Sequence, residues 1–219
     1  EKFEYNNDKL THLHSYTDES MISPNDVVAI DDSHFYFTND HGVPGKWNRF
    51  KEEYLGDGQA NVVYFDGDAY TEVSHGHQYA NGIALDQQRN LLYVANSRNF
   101  SVSVFTINAD NDLELEDKIK CNTGVDNIIV DEQGKLWIGS HPNLLRFQSY
   151  AAGKRKIAPS EIIKIDYHSP KNYTVDVVFL DNGESISGTS VAFPYKNHVF
   201  VGSVMDSKLL VLERPTTNE

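Results

Sequence analysis

One cysteine, Cys121, stands in 219 residues, so no disulfide can close within this chain. Positive charge is also scarce: 19 lysines and arginines face 32 aspartates and glutamates, a net charge of -13. Nucleic-acid binding needs a basic patch, and this balance argues against it. Binding of a cation is compatible with it, although most of the carboxylates are expected on solvated surface. No apolar run approaches the roughly 20 residues of a membrane-spanning helix. The length is enough for a sizeable core.

What the chain has is a phrase repeated along its length. It reads Pro24-Asn25-Asp26-Val27-Val28-Ala29-Ile30, then Ala80-Asn81-Gly82-Ile83-Ala84-Leu85, then Val125-Asp126-Asn127-Ile128-Ile129-Val130. An Asn beside an Asp or Gly precedes each apolar run, and Asp31, Asp86 or Asp131 follows it. A second apolar run closes each unit, as in Phe35-Tyr36-Phe37, Leu91-Leu92-Tyr93-Val94 and Leu136-Trp137-Ile138. A weaker copy is Gly188-Thr189-Ser190-Val191-Ala192-Phe193, closed by Val199-Phe200-Val201. Strand-turn-strand units recurring every 40–60 residues or so are the signature of propeller blades. The fold class is therefore all-β, a β-propeller.

In a propeller the innermost strand of each blade begins near one mouth of the central channel. Asn25, Asn81, Asp126 and Asn127 recur just before that strand, so they are expected to converge. Amide and carboxylate oxygens on a rigid ring suit Ca²⁺, which takes six to eight oxygen ligands. Asn and Asp also serve turns before strands, but turn chemistry alone does not require Asn each time.

The segments Pro24-Asn25-Asp26, Thr38-Asn39-Asp40-His41, Ala80-Asn81-Gly82-Ile83, Val125-Asp126-Asn127-Ile128 and Trp137-Ile138-Gly139-Ser140-His141-Pro142-Asn143 resemble the paraoxonase (arylesterase/lactonase) family in order and spacing. The resemblance implies a six-bladed propeller, about four blades of it represented here, with two calcium ions in the tunnel. Carried over residue by residue, Asn25, Asn81, Asp126 and Asn127 would hold the catalytic ion and Asp26 a structural one. It further implies a pocket wall at Tyr79, Ser190 and Val204, and a tunnel-facing His141. The family pattern also has an adjacent Glu-Asp pair and two histidines upstream that have no counterpart in this chain. Its terminal cysteine is likewise missing from Leu209-Leu210-Val211-Leu212-Glu213. The sequence opens inside an alternating pattern, Phe3-Glu4-Tyr5, so residues 1–219 are expected to form a single propeller domain that is incomplete at its N-terminus.

Several local signals are weighed against this frame. Lys2–Tyr5 and Leu10–His14 read as a hairpin around Asn6-Asn7-Asp8, with His12 and His14 facing solvent. Trp47, Phe50 and Tyr54 recur at helical spacing and predict a helical turn over 47–54. His75-Gly76-His77 lacks a third zinc ligand at suitable spacing and reads as a loop. Asp110, Asp112 and Glu114 imitate an EF-hand start without its glycine and read as a turn. Residues 151–157 read as a basic loop, and Trp137 as core. Asn99-Phe100-Ser101 and Asn172-Tyr173-Thr174 are glycosylation sequons, usable if the chain is secreted.

The function expected from the resemblance is calcium-dependent hydrolysis of lactones and aryl esters, calcium polarising the carbonyl for attack by water. The base is left open between His41 and His141, with Asp40 as an orienting carboxylate. A secreted or membrane-associated extracellular location is implied, with lipid or membrane association assigned to the family's N-terminal region. Two other readings stand beside it: a non-catalytic propeller platform with a degraded calcium site, and a senescence-marker-like gluconolactonase. A serine hydrolase is disfavoured, because Gly188-Thr189-Ser190-Val191-Ala192 runs into a further strand where a nucleophile elbow needs a helix.

Overall fold

A computed structural model describes residues 1–45 and 58–214. The helical turn predicted around Trp47, Phe50 and Tyr54 falls outside the described residues. The first hairpin, β1 (Lys2–Asn6) with β2 (Lys9–His14), turns at Asn7 and Asp8, both in the left-handed region. Three four-stranded antiparallel meanders follow: β3 (Pro24–Ala29) to β6, with β4 (Phe35–Asn39), β5 (Ala60–Phe65) and β6 (Tyr70–His77); β7 (Ala80–Asp86) to β10, with β8 (Leu91–Asn96), β9 (Ser101–Ile107) and β10 (Leu113–Lys120); and β11 (Gly124–Val130) to β14, with β12 (Leu136–His141), β13 (Ser160–Ser169) and β14 (Asn172–Asp181). The last sheet has three strands, β15 (Thr189–Tyr195), β16 (His198–Ser203) and β17 (Leu210–Glu213). In every sheet the strands pair in sequence order, and β3, β7, β11 and β15 neighbour one another from sheet to sheet. These are propeller blades ranged around an axis lined by their first strands.

The cores lie between the sheets, and strand alternation assigns each residue to one of them. Leu92 and Val94 of β8 pack with Tyr36, Val62 and Tyr64 of the first sheet. Their alternates Leu91, Tyr93 and Ala95 pack with Val125, Ile128, Leu136 and Ile138 of the third. Trp137, Ile162, Ala192, Val199 and Val201 fill the gap between third and fourth sheets. A middle strand is buried on both faces, which is why β5 and β8 read as nearly continuous apolar runs, their one asparagine each (Asn61, Asn96) being hydrogen-bonded.

The aspartates that follow the inner strands serve turns at the far end of each blade. Asp31 accepts hydrogen bonds from the N–H groups of Ser33 and His34 at 2.8 and 2.9 Å. Asp86 does the same for Gln88 and Arg89 at 3.0 and 3.1 Å, and Asp131 for Gln133 and Lys135 at 2.9 and 3.0 Å. Asn108 ties the Asp110–Asp112 turn in the same way. Ser190 lies in β15, which continues as strand with no helix behind it. His12 and His14 are exposed.

One local expectation is corrected. His75-Gly76-His77 is the end of β6 and no loop, because His77 pairs with Ala60 and the chain turns later, at Tyr79 with φ 63°. Residues 152–157 form the expected loop, and only Ala151 belongs to a helix not foreseen in the sequence: α1 (Leu144–Ala151) follows β12 and is capped by Asn143, whose Oδ1 accepts from Arg146 N–H at 2.9 Å.

His77 is buried, with Nδ1 2.7 Å from Asn96 Oδ1 and Nε2 2.9 Å from Ser74 Oγ. Burial depresses its pKa, and the Asn96 hydrogen bond only partly opposes that. The unfolded chain therefore takes up this proton first, so the stability His77 contributes is intact above about 6.5 and lost as pH falls through its folded value. His77→Gln is expected to flatten the loss of urea midpoint as pH is lowered below that value. An unchanged acid-side slope would assign the loss to other groups.

Candidate active site

The inner strands carry the site because each is broken at the same place. Pairing slips between Pro24 and Val27, between Ala80 and Ile83, between Val125 and Ile128, and between Thr189 and Val191. A bulge takes residues out of the ladder and re-aims their side chains. The residues inside these bulges include Asn25, Asn81, Asp126, Asn127 and Ser190, and all five line one cavity of about 620 Å³. Gly82 lets two bulges approach: a Cβ there would lie 2.6 Å from both Asn127 Cα and Asp126 O. Tyr79, His141 and Val204 complete the expected residues found on the cavity wall.

Asp26 does not line this cavity. Its carboxylate accepts from Val27 N–H at 2.8 Å and Ile83 N–H at 2.9 Å, tying the first two inner strands together. Burial raises its pKa, the two N–H groups oppose this, and the charge of Asp126 adds to the rise. Asp26 and Asp126 thus form a zone of negative charge beneath the bulges, which favours a cation.

The amides are oriented by their own donors. Asn25 Nδ2 donates to Asp40 Oδ2 at 3.2 Å, and Asn81 Nδ2 to Ser97 Oγ at 3.2 Å. Each amide thereby keeps its Oδ1 as an acceptor. Among the described residues no three His, Cys, Asp or Glu side chains come together as a metal cluster. The ring offers instead one carboxylate and three amide oxygens, a donor set that fits a hard cation rather than zinc.

Two histidine–aspartate pairs stand at the site. His141 is buried on the cavity wall, with Nε2 3.1 Å from Asp126 Oδ2 and its ring stacked on Phe147 at 3.7 Å between centroids. Its Nδ1 is buried and has no hydrogen-bond partner among the described residues. His41 lies one layer behind, Nδ1 2.7 Å from Asp40 Oδ1 and its ring edge-on to Tyr79 at 5.5 Å. Burial works against the charged form of Asp40, but hydrogen bonds from His41, Ser23 and Asn25 outweigh it and lower its pKa. Tyr79 is raised well above the ordinary tyrosine range, first by burial and then by the charges of Asp40 and Asp126.

Sequence reasoning did not find the apolar wall. Leu144, Phe147, Gln148 and Ala151 present one stripe of α1 to the cavity, at spacings of three and four. Gly188, at φ 62°, makes room for it, since a Cβ there would stand 2.9 Å from the Phe147 ring. The stripe was readable after the Asn143 cap. Ser97 and Arg98 carried no such signal; they reach the cavity from the β8–β9 turn.

Residues 1–211 match the family model described as Arylesterase. Serum paraoxonase/arylesterase 1 of Mus musculus is 34% identical over 209 residues, covering 95% of this chain and 58% of that protein. Serum paraoxonase/arylesterase 2 of Gallus gallus is 32% identical over the same shares. The chain thus spans 58% of the length of these curated relatives. Among solved structures, a gluconolactonase from Xanthomonas campestris superposes with a TM-score of 0.59 at 16% identity, over 97% of this chain and 65% of that one. A calcium-binding protein, regucalcin, from Agrobacterium tumefaciens superposes at 0.51 and 12% identity, over 84% and 55%. Those identities speak for the propeller fold alone. The family match covers nearly all of the sequence, including every bulge that supplies the cavity, and by it this chain belongs to the arylesterase family.

Proposed function

We propose that this cavity hydrolyses lactones and aryl esters with a calcium ion bound at the bulge ring. The reading is carried by the convergence of Asn25, Asn81, Asp126 and Asn127 on one cavity, in a chain of the arylesterase family. Their oxygens would hold the catalytic ion, and Asp26 would serve a second, structural one. Calcium bound there would polarise the ester carbonyl and stabilise the oxyanion that forms on it. The chain's own side chains do the rest. Leu144, Phe147 and Val204 take the apolar part of an ester and exclude water from it. His141, on the cavity wall and held by Asp126 through Nε2, is the better-placed base for the attacking water. Asp126 then stabilises the imidazolium. His41, oriented by Asp40, reaches the cavity only past Tyr79. With this function goes an extracellular location, secreted or membrane-associated, in which Asn99 and Asn172, both exposed, would be open to glycosylation.

Calorimetry should record calcium binding, and Asn81→Ala or Asp126→Ala should weaken it roughly 10- to 100-fold. Unchanged affinity in both variants would remove the ring from the account. Turnover of phenyl acetate and of a simple lactone should stop in chelator and return with added calcium; chelator-resistant turnover, or none under any condition, would leave the propeller as a binding platform. His141→Gln is expected to lower kcat about 100-fold, and His41→Gln distinctly less. The reverse order would transfer the base to the Asp40 pair.

A further inference from the structure

Of the four side chains that α1 turns to the cavity, three are apolar and the fourth, Gln148, is a carboxamide. It stands close to the chemistry. Asp126 Oδ2 lies 3.1 Å from His141 Nε2, the His141 ring stacks on Phe147, and Gln148 is the next residue. The helix that carries it is fixed at both ends: Asn143 caps the first turn, and Tyr150 Oη donates to Asp206 Oδ1 at 2.5 Å. Gln148 is half-buried, and among the described residues its carboxamide makes no hydrogen bond. In the free protein water serves its donor and its acceptor. A hydrocarbon group laid along Leu144 and Phe147 would strip that water away and leave the carboxamide unpaired, which costs binding energy. A hydroxyl in the same place both donates and accepts, so it satisfies whichever end of the amide it meets. Being neutral, it costs far less to desolvate than an ion, and Asp126 does not repel it.

We propose that Gln148 reads a hydroxyl on the apolar part of the substrate, so that the cavity prefers hydroxylated aryl esters and lactones to their hydrocarbon counterparts. Gln148 thereby sets specificity and takes no part in bond cleavage. That the bound molecule is a substrate rests on the hydrolase reading; the preference is a binding property, measurable without turnover.

4-Hydroxyphenylacetone and 4-methylphenylacetone share a shape, differ in the hydroxyl and have no ester bond to lose. Each is titrated into the full chain with calcium present, and binding is read by ligand-observed NMR. The hydroxyl compound is expected to bind about fivefold tighter. The preference should vanish in Gln148→Met, which keeps the length and loses the amide. It should persist in Gln148→Glu, whose carboxylate accepts from the hydroxyl. Circular dichroism checks the fold of each variant, and the comparison in the unaltered protein stands even if neither folds. Equal binding of the two ketones, no binding of the hydroxyl compound, or a preference that survives in folded Gln148→Met would overturn the assignment. 4-Hydroxyphenyl acetate and 4-methylphenyl acetate are then compared under the same conditions, and the hydroxyl ester should show the lower KM. Ketone preference without turnover of either ester would sink the hydrolase reading and leave the role of Gln148 standing. Turnover without ketone preference would do the opposite.

Discussion

The slip in pairing at the head of each inner strand is the constraint on which the site depends. An unbroken strand would send alternate side chains into the two inter-sheet cores, where an Asn or Asp would be a buried polar group without a partner. With the ladder broken at Asn25-Asp26, Asn81-Gly82, Asp126-Asn127 and Ser190, the polar residues leave the core while the apolar ones beyond keep their alternation. Ile83 and Ile128 stand immediately after their bulges and are buried in the cores on either side of the second sheet. Site and core are thus separated within a residue or two of one strand.

The same division of labour explains why one acidic residue type recurs at both ends of these strands. At the start, Asp26 is half-buried and Asp126 buried, and the pKa of Asp26 is raised first by desolvation and last by the charge of Asp126. At the end, Asp31, Asp86 and Asp131 each accept two backbone N–H groups of the following turn. The second set meets donors fixed in the polypeptide, so its charge is already compensated. Asp126 meets His141 Nε2 instead and faces the cavity, which sets it apart from the turn aspartates.

Much of this was legible in the sequence, because a propeller repeats its grammar. Asn25, Asn81 and Asp126-Asn127 could be aligned by eye, and the alignment alone brings together residues about 50 positions apart. Tyr79, Ser190 and Val204 entered through the family resemblance, and they too line the cavity. What escaped was whatever repeats nowhere. Among the described residues a helix follows β12 alone, so its stripe Leu144, Phe147, Ala151 had no second copy to draw attention to it. Arg98 sits in a turn, where no periodicity speaks, and reaches the cavity through tertiary contact with Tyr79. His77 was misread because the segment was weighed only as a metal site and, failing that, set down as a loop, whereas it ends a strand.

The bulges also bear on how such a site is gained and lost over evolutionary time. A substitution at Asn81 changes one donor and leaves the bulge in place, available for another side chain, as Ser190 occupies the equivalent place in the fourth sheet. Deleting a residue there would restore a regular ladder and return the strand to ordinary pairing, with the inter-sheet core downstream unaltered. Insertion and deletion at these points, more than point mutation, are therefore the events that turn a propeller strand from scaffold into site and back.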